Sequence, residues 1–126
     1  MDRSKPEIDF PASDTPTELV VIDEIVGDGD TAEKGDIVDV HYVGVGHASG
    51  EEFDASWNRG EPLRFHLGVG QVIAGWDQGV QGMKVGGRRR LEIPASLAYG
   101  EYGAPPVIGP NEALVFVCDL VAVHKR

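Results

Sequence analysis

The chain has 126 residues, 21 acidic and 11 basic, with a formal net charge of −10 at neutral pH and 41% hydrophobic residues. That length accommodates one domain around one core. The negative balance argues against a nucleic-acid or anionic-lipid surface, since both require positive charge, and no apolar run approaches the roughly 20 residues of a membrane helix.

Residues 1–16 are rich in Pro, Asp and Ser and read as a flexible arm, with Ile8 and Phe10 free to dock on a domain spanning 17–126. No apolar signal region opens the chain, so a cytoplasmic protein is the expectation. "ELVVIDEIV" (18–26) reads as a strand and "GDGDTAEKGD" (27–36) as a turn region. In "IVDVHYVGV" (37–45), Val38, Val40 and Tyr42 share one face, with Asp39 and His41 on the other. "LRFHL" (63–67) sets Leu63, Phe65 and Leu67 opposite Arg64 and His66. The stretch "VIAGWDQGVQGMKVGG" (72–87) is different. Ile73, Trp76, Val80 and Met83 recur at helical spacing, yet Gly75, Gly79 and Gly82 lie among them, each costing roughly 1 kcal/mol relative to Ala in a helix interior.

A two-turn helix must draw its stability from packing. Glycines would let it approach a curved sheet closely, with Trp76 pointing into the concavity. "RRLEI" (89–93) brings Leu91 and Ile93 together, and the Arg88–Arg90 run before them reads as a solvated strand edge. "ALVFVCDLVAV" (113–123) reads as the central strand, with Leu114, Phe116, Cys118 and Leu120 on one face and Cys118 a small core residue. The pattern predicts an α+β fold, an antiparallel sheet covered by one short helix.

Nucleophile, metal and nucleotide motifs are absent. There is no H-E-x-x-H, no paired cysteine and no phosphate-binding loop. "DGDTAEKGDIVD" (28–39) only faintly follows a calcium loop, with Glu33 in place of the needed Gly. The four histidines are scattered, His41 and His66 on outward strand faces. Aromatic and aliphatic residues are instead concentrated beside a few polar ones. Asp54 follows Phe53 and precedes Arg59 by five positions. A partly buried carboxylate needs such a partner, and a tyrosine hydroxyl can add a second hydrogen bond. Tyr42, Asp54 and Arg59 are therefore expected to form a polar lining on one wall of an apolar cavity.

The combination F-D (53–54), R-G-x-P (59–62), V-I-x-G-W (72–76), G-M-K-V-G (82–86) and L-A-Y-G (97–100) resembles the FKBP-type peptidyl-prolyl cis-trans isomerases, the macrolide-binding immunophilins. The likeness covers about residues 17–124 and is greatest to single-domain bacterial members. It implies a five- to six-stranded antiparallel sheet wrapped around one short α-helix, no cofactor and no metal, and a monomer. Its partners would be proline-containing peptides, protein clients and macrolide inhibitors. It also implies a pocket with Trp76 as floor, Tyr42, Phe53 and Phe116 as walls, and Asp54 as the pocket carboxylate. Val72 and Ile73 would meet the ligand through their backbone, and Tyr99 through its hydroxyl, with Arg59, Leu63, Ala104 and Ile108 completing the substrate-binding set. Leu63 stands where many members carry Phe, and Ala104 where some carry His. The Pro105–Pro106 pair reshapes the same loop, and Trp57 is positioned to extend the rim.

Overall fold

The computed structural model describes residues 4–8 and 15–125. Six strands form one antiparallel sheet: β1 (Val20–Ile25), β2 (Ile37–Gly46), β3 (Glu52–Ala55), β4 (Leu63–His66), β5 (Arg88–Ile93) and β6 (Leu114–His124). They are ordered β1-β5-β6-β2-β3, with β4 also paired to β2. Among the described residues one α-helix, α1 (Ala74–Gly79), crosses one face, and 3-10 turns lie at Ser56–Arg59 and Ala95–Leu97.

The β2–β6 ladder is the spine, running from Ile37 opposite His124 to Gly46 opposite Leu114. Alternation along β2 and β6 sends Val38, Val40, Tyr42, Leu114, Phe116, Cys118 and Leu120 into one buried cluster with Phe65, Leu91, Ile93, Trp76 and Val80. The parity changes near the end of β6. Asp39 faces Ala122, but Val40 faces Leu120. A bulge takes up the extra residue, so Leu120 and Val123, three apart, both pack on the core. Burial pushes the Cys118 thiol far above its ordinary range, and the negative charge of Asp119 adds to the effect. The residue is inert packing.

Helix α1 is shorter than the 72–87 pattern suggests. Met83 reaches the core from the turn that follows, and Gly82 lies outside the helix at φ +90°. The other two glycines do what the sequence expects of them. A Cβ at Gly75 would fall 2.6 Å from the Ile93 side chain, and one at Gly79 would fall 2.7 Å from Leu91. The helix backbone therefore rests directly on β5. Arg89 fastens the far end, donating from Nη1 to the carbonyls of Gly79 (2.9 Å) and Gln81 (3.0 Å), where the helix carries its partial negative charge.

One strand reading needs correction. The Arg88–Arg90 run is not a solvated edge, because β5 lies between β1 and β6. Its three guanidinium groups are taken up by Asp119, Asp23 and Glu92. The short charged stretch that forms β3 carries no alternation long enough to announce a strand. Part of the N-terminal arm is seated on the sheet. Lys5 pairs with Glu52 at 2.7 Å, and Ile8 packs beside Val43, Val45, Ala55 and Val115. Phe10 lies outside the described residues.

The tight helix–sheet approach sets the sign of one substitution. Gly75→Ala gains about 1 kcal/mol of helix propensity. It also forces a methyl into the stiff, fully buried Ile93, an overpacking cost of about 1–3 kcal/mol. Chemical denaturation should show net destabilisation of up to about 2 kcal/mol; a stabilised variant would mean that the helix has room to spare.

Candidate functional site

Between α1 and the concave face of the sheet lies a cavity of about 400 Å³, lined by Tyr42, Phe53, Asp54, Leu63, Gln71, Val72, Ile73, Trp76, Tyr99 and Phe116. Trp76 forms its base and is 3% exposed. Tyr42 and Phe116 meet the indole edge-on, with centroids at 4.9 and 5.2 Å, and Phe65 tilts against it at 5.6 Å. Phe53 meets Phe116 at 88° and 5.5 Å. That contact requires Gly44, whose Cβ would fall 2.7 Å from both rings.

One edge of this apolar cup is polar. Tyr42 donates its hydroxyl to Asp54 Oδ2 at 2.5 Å, and Arg59 donates to Asp54 Oδ1 and to the Tyr42 oxygen, both at 2.7 Å. The Tyr42–Asp54–Arg59 set expected from the sequence is thus assembled from β2, β3 and the first 3-10 turn. Burial favours the neutral form of Asp54, but the two hydrogen bonds and the Arg59 charge outweigh it and hold the carboxyl below its ordinary range. Tyr42 moves upward, chiefly through burial and then through its bond to Asp54. The site therefore carries an anionic carboxylate and a neutral phenol.

The segment before α1 presents Val72 and Ile73. Asp77, in the first turn of the helix, accepts the backbone N–H groups of Gly68 and Gly70, both at 2.8 Å, and Gln71 accepts that of His66 at 2.9 Å. These bonds hold the turn against the helix. Ile73 caps α1, and its own N–H has no hydrogen-bond partner among the described residues. Tyr99 follows the second 3-10 turn and is 41% exposed at the rim.

Not every expected residue lines the cavity. Arg59 acts from behind Asp54 and faces a neighbouring groove with Glu61 and Arg64. Ala104 and Ile108 pair with each other across the loop, exchanging backbone hydrogen bonds at 2.9 and 3.0 Å, and Ile108 is core. Trp57 does not extend the rim. It packs on the opposite face of the sheet and stacks on His41 at 4.1 Å and 14°, which removes His41 from the solvated surface expected of it. Gln71 is a lining residue the sequence reading missed; its place beside Val72–Ile73 was the only signal. Among the described residues no group of His, Cys, Asp or Glu is gathered to hold a metal. The arrangement can hold an apolar ring against the indole, accept bonds at Asp54, and donate to a carbonyl from Ile73 N–H and the Tyr99 hydroxyl.

Known proteins share this chain's sequence and fold. The family model for FKBP-type peptidyl-prolyl cis-trans isomerase matches residues 29–121. An FK506-binding protein of Streptomyces anulatus is 64% identical over 124 residues, covering 98% of this chain and 100% of the relative. The peptidyl-prolyl cis-trans isomerase FPR2 of Saccharomyces cerevisiae is 59% identical over 94 residues, covering 75% of this chain and 70% of that protein. A crystal structure of AtFKBP13 superposes with a TM-score of 0.77 at 43% identity, covering 86% of this chain and 94% of the other.

The polar edge makes a titration prediction. In an NMR titration Asp54 should ionise below the aspartate reference of about 3.9, and Arg59→Gln should raise its pKa. A depressed folded-state pKa means that the carboxylate's stabilising share is complete above the unfolded value and is lost as pH falls through the folded one. An Asp54 pKa indifferent to Arg59→Gln would show that the guanidinium does not hold the carboxylate.

Proposed function

This chain belongs to the FKBP-type peptidyl-prolyl cis-trans isomerases, enzymes that accelerate rotation about X-Pro amide bonds, and we propose that its catalysis is seated in the aromatic cup above Trp76. One observation carries that reading: an anionic carboxylate, held by a tyrosine and an arginine, sits on the edge of a largely apolar cavity beside the Ile73 N–H, which has no hydrogen-bond partner among the described residues.

Resonance gives the amide C–N bond partial double-bond character and a rotational barrier of roughly 18–20 kcal/mol. The planar amide is the charge-separated form, and at 90° that separation is lost. Water solvates the planar dipole and an apolar cup does not, so transfer into the cup costs the planar state more than the twisted one. Each difference of about 1.4 kcal/mol is a tenfold rate gain, and no covalent step is required.

In this reading Trp76, Phe53, Tyr42 and Phe116 hold the prolyl ring. Ile73 N–H and the Tyr99 hydroxyl take carbonyls of the flanking peptide, while Leu63 and Val72 close the sides. Asp54, anionic at neutral pH, donates no proton to the amide nitrogen. Its part is to set the field at the cup's edge and to fix the Tyr42 ring. The same walls suit a macrolide such as FK506, which would occupy the cup in competition with peptide.

The test is isomerisation of a Leu-Pro or Phe-Pro peptide followed by NMR exchange. Asp54→Ala should lower kcat/KM by about tenfold or more while the fold persists, and FK506 should abolish turnover. A folded Asp54→Ala variant with unchanged kcat/KM would remove the carboxylate from the mechanism.

A further inference from the structure

Ser56 is fully buried, and it lies between Asp54 and Arg59 in the chain. The reason for its burial is a break in the sheet. The edge of β2 away from β6 pairs with β4 up to Val40 and with β3 from Val43 onward. His41 and Tyr42 fall in the gap, and among the described residues no strand lies beside them on that edge. Ser56, the first residue after β3, fills it. Its Oγ accepts the Tyr42 N–H at 2.7 Å, lies 3.4 Å from the Tyr42 carbonyl oxygen, and sits 2.8 Å from His41 Nδ1. One hydroxyl thus stands in for the missing ladder bonds at the residue whose side chain meets Asp54.

The consequence lies three residues downstream. The chain leaves the sheet at Ala55, makes a single 3-10 turn and ends it at Gly60 in the left-handed region at φ +77°. Within that turn Arg59 has to come back onto both Asp54 and Tyr42, at 2.7 Å each. The turn has no side-chain cap of its own. The bonds of Ser56 to the backbone of Tyr42 tie its first residue to β2, and the stack of Trp57 on His41 presses the second onto the opposite face of the sheet. The approach of Arg59 is therefore referenced to Tyr42 through Ser56.

We propose that Ser56 is a positioning residue for the isomerisation, its hydroxyl setting the 54–59 segment on β2 so that Tyr42, Asp54 and Arg59 meet. The inference rests on the aromatic cup being the site of rotation.

The experiment is a double-mutant cycle on kcat/KM for the X-Pro peptide, with each variant's fold checked by its NMR spectrum. Ser56→Ala should lower kcat/KM about tenfold. Ser56→Cys, which is close in shape though slightly larger and bonds weakly, should lower it to a similar extent and serves as the readout if the alanine variant does not fold. In an Asp54→Ala background either substitution should change kcat/KM less than about twofold, because the network it positions is already gone. A merely structural serine would cost the same factor in both backgrounds, and that result overturns the proposal. Full activity in folded Ser56→Ala or Ser56→Cys overturns it as well, leaving the cup intact as the site. If Asp54→Ala alone leaves kcat/KM unchanged, the carboxylate's role and the Ser56 proposal fall together.

Discussion

The structure depends on how closely one short helix can lie on a strand. Gly75 and Gly79 bring α1 to within van der Waals reach of Ile93 and Leu91, where any Cβ would collide. At that height Trp76 lies low enough for its ring to meet Tyr42, Phe65 and Phe116 at once. A helix raised by the bulk of two methyl groups would lift the indole, and the cavity above it would shrink or tilt. The local cost of two glycines, about 1 kcal/mol each, is offset by the aromatic burial they permit, which is worth several times more per ring. Arg89 at the helix C-terminus and Asp77 near its start hold the same docking from both ends.

The polar edge answers a second requirement. An apolar cup alone would bind prolyl groups without orienting the peptide. Tyr42 belongs to both systems, its ring packed on Trp76 and its hydroxyl shared by Asp54 and Arg59. Asp54 and Arg59 are each partly open to water, so their pairing contributes little to stability; what it determines is where the Tyr42 ring and the negative charge sit. The break in pairing along β2 allows this, because it admits a 3-10 turn where a continuous ladder would have run past.

Much of the architecture was legible. Alternation in 37–45 and 63–67 identified the faces of β2 and β4, and the β-branched run 113–123 identified the central strand. The Phe53-Asp54 pair, with Arg59 five residues on, indicates the polar edge from sequence alone. Other features depend on relations no local pattern carries. The β6 bulge changes which residues face inward after Leu120, and only pairing with β2 reveals it. The arginines of β5 look like a solvated edge until β1 is added outside them. Trp57 lies three residues after Asp54, yet a single 3-10 turn sends it to the far side of the sheet. Ala104 and Ile108 belong to a loop that closes on itself through their own hydrogen bonds.

In the proposed mechanism, rotation is a matter of solvation and orientation, with an anionic Asp54 and no proton in flight. A solvent isotope comparison reads this directly. The catalysed kcat/KM for an X-Pro peptide, measured by NMR exchange in H2O and in D2O at matched protonation, should be the same in both. A distinctly slower rate in D2O would mean that a proton moves in the transition state, and the desolvated-twist account would be wrong.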